Sequence, residues 1–147
     1  MVTNAMQLKR RVLYVEDHED TRELIAIVLQ QKEYEVITVG TVEGGVRLAV
    51  EQSFDLYLLD SWLPDGSGLA LCRKLREFDQ TTPILFYSAA AYELDKNMAL
   101  TSGAQAYLIK PSQTSELCDL VSSLIEHRGN GKKSLAACTE GGTGYPS

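Results

Sequence analysis

FDLYLLDSWLPDGSG runs from Phe54 to Gly68. Phe54, Leu56, Tyr57, Leu58 and Leu59 leave Asp55 as the one polar residue among the first six, so the stretch reads as a strand buried on both faces. The apolar run then stops on a carboxylate, Asp60. A second acid, Asp65, follows inside Pro64-Asp65-Gly66, whose residue types make a tight turn. The strand delivers Asp60 to an edge of the sheet. Asp65 is assigned to the turn and to the entry of the next helix.

Working outward, the same short apolar run recurs at Arg11–Glu16, Glu35–Val39, Asp55–Asp60, Pro83–Tyr87 and Gln105–Ile109. Helical patterns lie between the runs. The first starts near Asp20, where Asp20 and Glu23 have capping-box spacing, and carries a stripe of Leu24, Ile25, Val28 and Leu29. The second covers about Val42–Gln52 and is weakened by Gly44 and Gly45. The third covers about Gly68–Phe78, with Leu71, Cys72 and Leu75 inward. The fourth covers about Tyr92–Ser102 and closes on Gly103. The fifth follows Pro111, with Leu117, Leu120, Val121, Leu124 and Ile125 on one face. Five strands alternating with five helices imply an α/β fold, a doubly wound five-stranded parallel sheet with right-handed crossovers. Residues 11–128 form this domain, 1–10 an N-terminal extension, and the Gly/Ser/Thr-rich 129–147 a flexible tail.

The bulk numbers agree. A chain of 147 residues with 44% hydrophobic residues suits one packed domain. Fourteen basic against 20 acidic residues give a net charge of −6, which opposes direct nucleic-acid binding. No apolar run approaches the roughly 20 residues of a membrane span, and the N-terminus lacks a signal-peptide core. Cys72, Cys118 and Cys138 have no metal-ligand spacing and read as reduced thiols of a cytoplasmic protein. With His18 and His127 the only histidines, the chain offers no zinc-site pattern.

In an open α/β sheet, ligands bind beyond the carboxyl ends of the strands. Strand one ends in Glu16 and Asp17, strand three in Asp60; Ser88 follows strand four and Lys110 follows strand five. If strands one and three are neighbours, three carboxylates converge and need a cation among them. An all-oxygen set suits Mg²⁺ (or Mn²⁺). Metal, lysine and hydroxyl together can hold a phosphoryl group, with Asp60 as a nucleophile that forms an acyl phosphate.

VEDHED (Val15–Asp20), LLDSWLPDGSGL (Leu58–Leu69), YSAAA (Tyr87–Ala91) and GAQAYLIKP (Gly103–Pro111) stand in an order and a structural context that resemble the receiver domain of two-component response regulators, over about Arg10 to Arg128. The resemblance implies a flavodoxin-like fold with strand order 2-1-3-4-5. It implies Asp60 as phosphoacceptor, Asp17 as direct metal ligand, Glu16 acting on the metal through water in a position where aspartate is commoner, and the Trp62 backbone carbonyl as a third metal contact. Ser88 takes the hydroxyl position and Lys110 the phosphoryl-pairing position, paired with Asp60 before phosphorylation. A cis Lys110–Pro111 peptide, a switch role for Tyr107 that moves it inward, and a loop role for Gly68 are implied too. His18 is read as a rim residue.

The implied function is a switch, not a turnover enzyme. A histidine kinase or histidine phosphotransfer domain supplies the phosphoryl group and a downstream protein reads the result. Output or homodimer pairing would use the face of the fourth helix, fifth strand and fifth helix. Trp62 and Ala90 flank the acceptor without any side chain that orients water, so self-dephosphorylation is expected to be slow. The chain is either a stand-alone regulator or a receiver segment of a hybrid kinase or larger regulator. A haloacid-dehalogenase-type phosphatase would need an acid where Trp62 stands. A flavodoxin-like flavin module would find VEDHED repelling its phosphate.

Overall fold

The computed structural model describes residues 8–128. The expectations for residues 1–7 and for the 129–147 tail, with Cys138, lie outside the described residues. The elements are β1 (Arg11–Val15), α1 (Glu19–Gln31), β2 (Glu35–Val39), α2 (Val42–Glu51), β3 (Leu56–Leu59), β4 (Trp62–Leu63), β5 (Gly66–Ser67), α3 (Gly68–Arg76), β6 (Ile84–Ser88), α4 (Glu93–Thr101), β7 (Ala106–Ile109) and α5 (Thr114–Arg128). The main sheet is parallel, ordered β2-β1-β3-β6-β7. Counting its five strands alone, this is the order 2-1-3-4-5.

Strand alternation divides the core in two. Val12, Tyr14, Leu56, Leu58, Leu85 and Leu108 meet α1 and α5 on one face. Leu13, Val15, Leu59, Phe86 and Tyr107 meet α2, α3 and α4 on the other. The central strand β3 is buried throughout, as its apolar run requires. The edge strand β2 has only exposed and half-buried positions.

Local chemistry adjusts several boundaries. Helix α1 is capped by His18, whose ring accepts from the Thr21 amide, and not by Asp20. Leu24 faces solvent at 57% exposure, while Ile25, Ala26 and Leu29 bury, so the inward stripe is rotated from the expected one. The glycines of α2 are there for contact: a Cβ on Gly45 would lie 3.2 Å from Val15 Cγ2, and one on Gly44 only 2.4 Å from Val39 Cγ2. Gly103 sits past the end of α4 at φ +121°, a left-handed value that glycine tolerates, and follows the expected helix stop.

The stretch after Asp60 is more than a turn. Trp62–Leu63 and Gly66–Ser67 pair antiparallel as a small hairpin. The Asp65 carboxylate leaves that hairpin and accepts from the amides of Val42 (2.7 Å) and Glu43 (3.0 Å). Asp65 thus adds to the N-terminal cap of α2, where Thr41 Oγ1 accepts from the Gly44 amide; the entry of α3 is capped by Ser67. These two amide bonds, Glu43 first, hold its carboxyl below the ordinary range.

Candidate functional site

Three expected site residues stand one position past a strand, each tied to a neighbour by its own amide. Glu16 N donates to Val39 O (2.9 Å), Asp60 N to Val15 O (3.0 Å) and Lys110 N to Ser88 O (2.8 Å). The ladder fixes the backbone of each residue, and the side chains point into the crevice above β1 and β3, where the chain turns to opposite sides of the sheet. A cleft of about 420 Å³ opens there, bordered by Glu16, Asp17, Asp60, Trp62, His18 and Lys110.

Carboxylate oxygens of Glu16, Asp17 and Asp60 lie within 4.8 Å of one another. Glu16 and Asp60 are buried and Asp17 is exposed. That spacing lets one ion touch carboxylates from two strands at once, and hard oxygen donors fit Mg²⁺ or Mn²⁺. Burial pushes the Asp60 carboxyl up; Lys110 pulls against this, and the Glu16 and Asp17 charges add to it.

Lys110 Nζ lies 2.6 Å from Glu16 Oε1 and 3.6 Å from Asp60 Oδ1. The expected resting pair with Asp60 is therefore the longer of two, and Glu16 is the nearer counter-ion. The extra methylene of glutamate, compared with aspartate, is what reaches the ammonium. The Lys110–Pro111 peptide is cis.

Ser88 is fully buried, and its Oγ accepts from the Ala90 amide at 3.0 Å. Tyr107 is buried as well, stacks on Phe86 with ring centroids 5.7 Å apart, and donates to Ala90 O at 2.6 Å. Ser88 and Tyr107 therefore share the Ala89–Ala91 segment as a common partner, with the phenol in the inward position. Two residues after Ser88, Ala90 is buried with its backbone held by these two bonds, and it is Ala89 that lines the cleft. Trp62 stands at the rim, 62% exposed.

Gly68 packs against the Asp60 backbone. A Cβ there would meet Asp60 O at 2.1 Å and Phe86 Cε2 at 2.9 Å, and the Gly68 amide donates to Ser61 O at 2.8 Å. No sequence pattern exposed two further participants. Tyr14 reaches Glu16 Oε1 with its hydroxyl at 3.3 Å, and Arg22 donates to Glu16 O at 3.0 Å.

Comparisons with known proteins agree with this geometry. Residues 12–122 match the family described as the response regulator receiver domain. The chain is 32% identical over 118 residues to the response regulator ArlR of Staphylococcus saprophyticus, covering 80% of this chain and 53% of that one. It is 35% identical over 130 residues to a probable transcriptional regulatory protein of Picosynechococcus, covering 84% and 52%. The chain thus spans about half the length of these curated relatives. A CheY-like receiver domain from Methanospirillum hungatei superposes with TM-score 0.81 at 23% identity, over 85% of this chain and 100% of that one, a likeness of fold. The receiver domain of a sensor histidine kinase from Pseudomonas aeruginosa, solved with a magnesium ion coordinated in its active site cleft, superposes with TM-score 0.76 at 29% identity, over 81% and 99%.

Proposed function

The chain belongs to the response regulator receiver domain family, and from that premise we propose that it is a phosphoacceptor switch whose acceptor is Asp60. The observation that carries this reading is the cluster of Glu16, Asp17 and Asp60 oxygens within 4.8 Å, with the Lys110 ammonium 3.6 Å from Asp60. The donor is a phosphohistidine on a histidine kinase or phosphotransfer domain. An Asp60 carboxylate oxygen attacks phosphorus, a P–O bond forms, the P–N bond to the donor imidazole breaks, and the freed nitrogen takes a proton from water. Lys110 pairs with the phosphoryl oxygens, and Ser88 supplies its hydroxyl hydrogen, which no hydrogen bond among the described residues uses.

Asp17 and Asp60, with Glu16 and the Trp62 carbonyl, would hold Mg²⁺ or Mn²⁺, which supplies positive charge against the transferring oxygens. The magnesium held in the cleft of the Pseudomonas receiver supports this assignment. The switch runs through Ser88, Ala90 and Tyr107: a hydroxyl drawn to the phosphoryl group relaxes its hold on the Ala90 amide, whose carbonyl carries the phenol. The output face is α4, β7 and α5, where Tyr92, Leu94 and Met98 are exposed at 81%, 66% and 39% and offer a surface to a downstream protein or a second copy. The setting is cytoplasmic. Relatives of which the match covers only about half leave room for the receiver to act within a longer regulator.

The test is labelling by a small phosphodonor with Mg²⁺, in wild type and in Asp60→Asn. Wild type labels and the variant does not; equal labelling refutes the assignment. The same assay reads the lifetime. Trp62 shields one side and Ala89 and Ala90 offer no group that orients water, so the phosphoryl group persists for many minutes after the donor is removed. Decay within seconds contradicts that.

A further inference from the structure

Glu16 is the most heavily engaged residue of the cleft. It is 1% exposed. Its Oε1 accepts from both Lys110 Nζ (2.6 Å) and the Tyr14 hydroxyl (3.3 Å), and its Oε2 accepts from the His18 amide (3.1 Å). The two tethers on Oε1 differ in kind. The ammonium cancels charge and swings on a flexible stem. The phenol is neutral, and its ring is 0% exposed in the packing between the sheet, α1 and α5. Glu16, one position past β1, stands two residues after Tyr14, and the Tyr14 hydroxyl reaches it.

We propose that Tyr14 is a positioning residue of the cation site: its buried phenol fixes the Glu16 carboxylate so that Glu16, and not Asp60, carries the Lys110 ammonium. The inference rests on the cation-site reading above. With Glu16 fixed, the lysine stays 1 Å closer to Glu16 than to Asp60, a difference of 3.6 against 2.6 Å, and the Asp17-facing side of Asp60 is left for the ion. Without the hydroxyl, the carboxylate loses one of its three donors and the ammonium redistributes toward Asp60. An incoming divalent ion must then displace a positive charge from Asp60, which it touches directly, rather than from Glu16, which acts on it through water. An outer partner that orients a ligand commonly acts on affinity in this way.

The probe is Mg²⁺ alone, followed by calorimetry and by emission of Trp62, the chain's single tryptophan, which stands at the cleft rim. Tyr14→Phe keeps the ring and is expected to weaken Mg²⁺ binding about three- to tenfold, the size of one hydrogen bond to a charged group shared between two states. Glu16→Asp shortens the side chain beyond reach of the phenol. In that background Tyr14→Phe should add no further loss, because both changes cut the same link. A packing role alone would give the same loss in both backgrounds and overturn the proposal, as would a wild-type affinity in Tyr14→Phe. Wild-type protein gives an independent reading. A slowly exchanging Tyr14 hydroxyl proton with a cross-peak to the Glu16 side chain supports the link, and its absence overturns it. If wild type itself shows no Mg²⁺ binding, the cation site falls and this proposal with it; if wild type binds and Tyr14→Phe binds equally well, only Tyr14 is at fault.

Discussion

As the proposed acceptor, Asp60 has to be buried yet charged enough to attack phosphorus, and it lies close to other acids that raise the cost of that charge. The structure meets these demands with few atoms: a hydrogen bond from the Asp60 amide to Val15 O, a lysine shared with Glu16, and the close approach of Gly68 to the Asp60 backbone. Asp60, Glu16, Asp17, Ser88 and Lys110 were legible in the chain because each breaks or follows an apolar run at the same end of a strand. The Glu16–Lys110 pair was not, since it spans 94 positions and depends on how far one lysine stem reaches across the sheet. The Tyr14 link was hidden for a different reason: an aromatic inside an apolar strand reads as core, and Tyr14 is core as well. Gly68 carries a prediction at this scale. A methyl at Gly68 cannot coexist with the Asp60 carbonyl at 2.1 Å, so Gly68→Ala is expected to cost about 2 kcal/mol in a urea melt, as overpacked sites do, and to slow labelling of Asp60. An unchanged midpoint would show that this contact yields easily.

Elements and their connections hold most of the differences between sequence and structure. The existence and order of the ten main elements follow from the alternation of apolar runs with 3.6-residue stripes. Their ends follow from particular side chains that patterns describe poorly. His18, not Asp20, caps α1, because the ring nitrogen reaches the Thr21 amide. Asp65 belongs to a hairpin yet binds first-turn amides of α2, one of them 23 positions earlier, so a turn signature concealed a tertiary bond. Through that bond the hairpin that carries Trp62 is fastened to α2. The slow decay proposed for the phosphoryl group belongs to this scale, since it depends on the hairpin holding the indole at the cleft rim.

Across the whole molecule, the end of the sheet remote from the cleft is held by its own polar network. Arg76 of α3 donates to Gly103 O through two nitrogens (3.0 and 2.8 Å) and to Gln105 Oε1 (2.9 Å), while Gln105 Oε1 accepts from Ile84 N (2.8 Å). Asp79 accepts from the Tyr57 hydroxyl (2.7 Å) and from the amides of Thr81 (3.1 Å) and Thr82 (3.0 Å). Burial alone would push the Asp79 carboxyl up; the Tyr57 hydroxyl and the threonine amides override it and bring it down to about 2. A carboxyl depressed in the folded state stabilises the fold above its unfolded value of roughly 3.9, and that contribution fades as pH falls through the folded value. Asp79→Asn is therefore expected to lose about 1 kcal/mol, discounted for solvent screening, at pH 5 to 7. The gap to wild type should close between about pH 4 and pH 2. Melts at a series of pH values check this, and a gap that widens on acidification would reverse the sign of the account. None of this network is visible as a motif, because its members come from α3, β3 and the loops before β6 and β7. The strand order was likewise legible only through likeness to a family, since alternation by itself leaves several orders open.

Everything functional here depends on Asp60 being the atom donor to phosphorus in a cation-bearing cleft. The most direct measurement is the stoichiometry of phosphoryl incorporation from a small phosphodonor, with and without Mg²⁺, in wild type and Asp60→Asn, with the modified residue located by mass spectrometry after borohydride trapping. The account predicts close to one Mg²⁺-dependent phosphoryl group per chain on Asp60 and none in the variant; incorporation that survives in Asp60→Asn, or that ignores Mg²⁺, would contradict it.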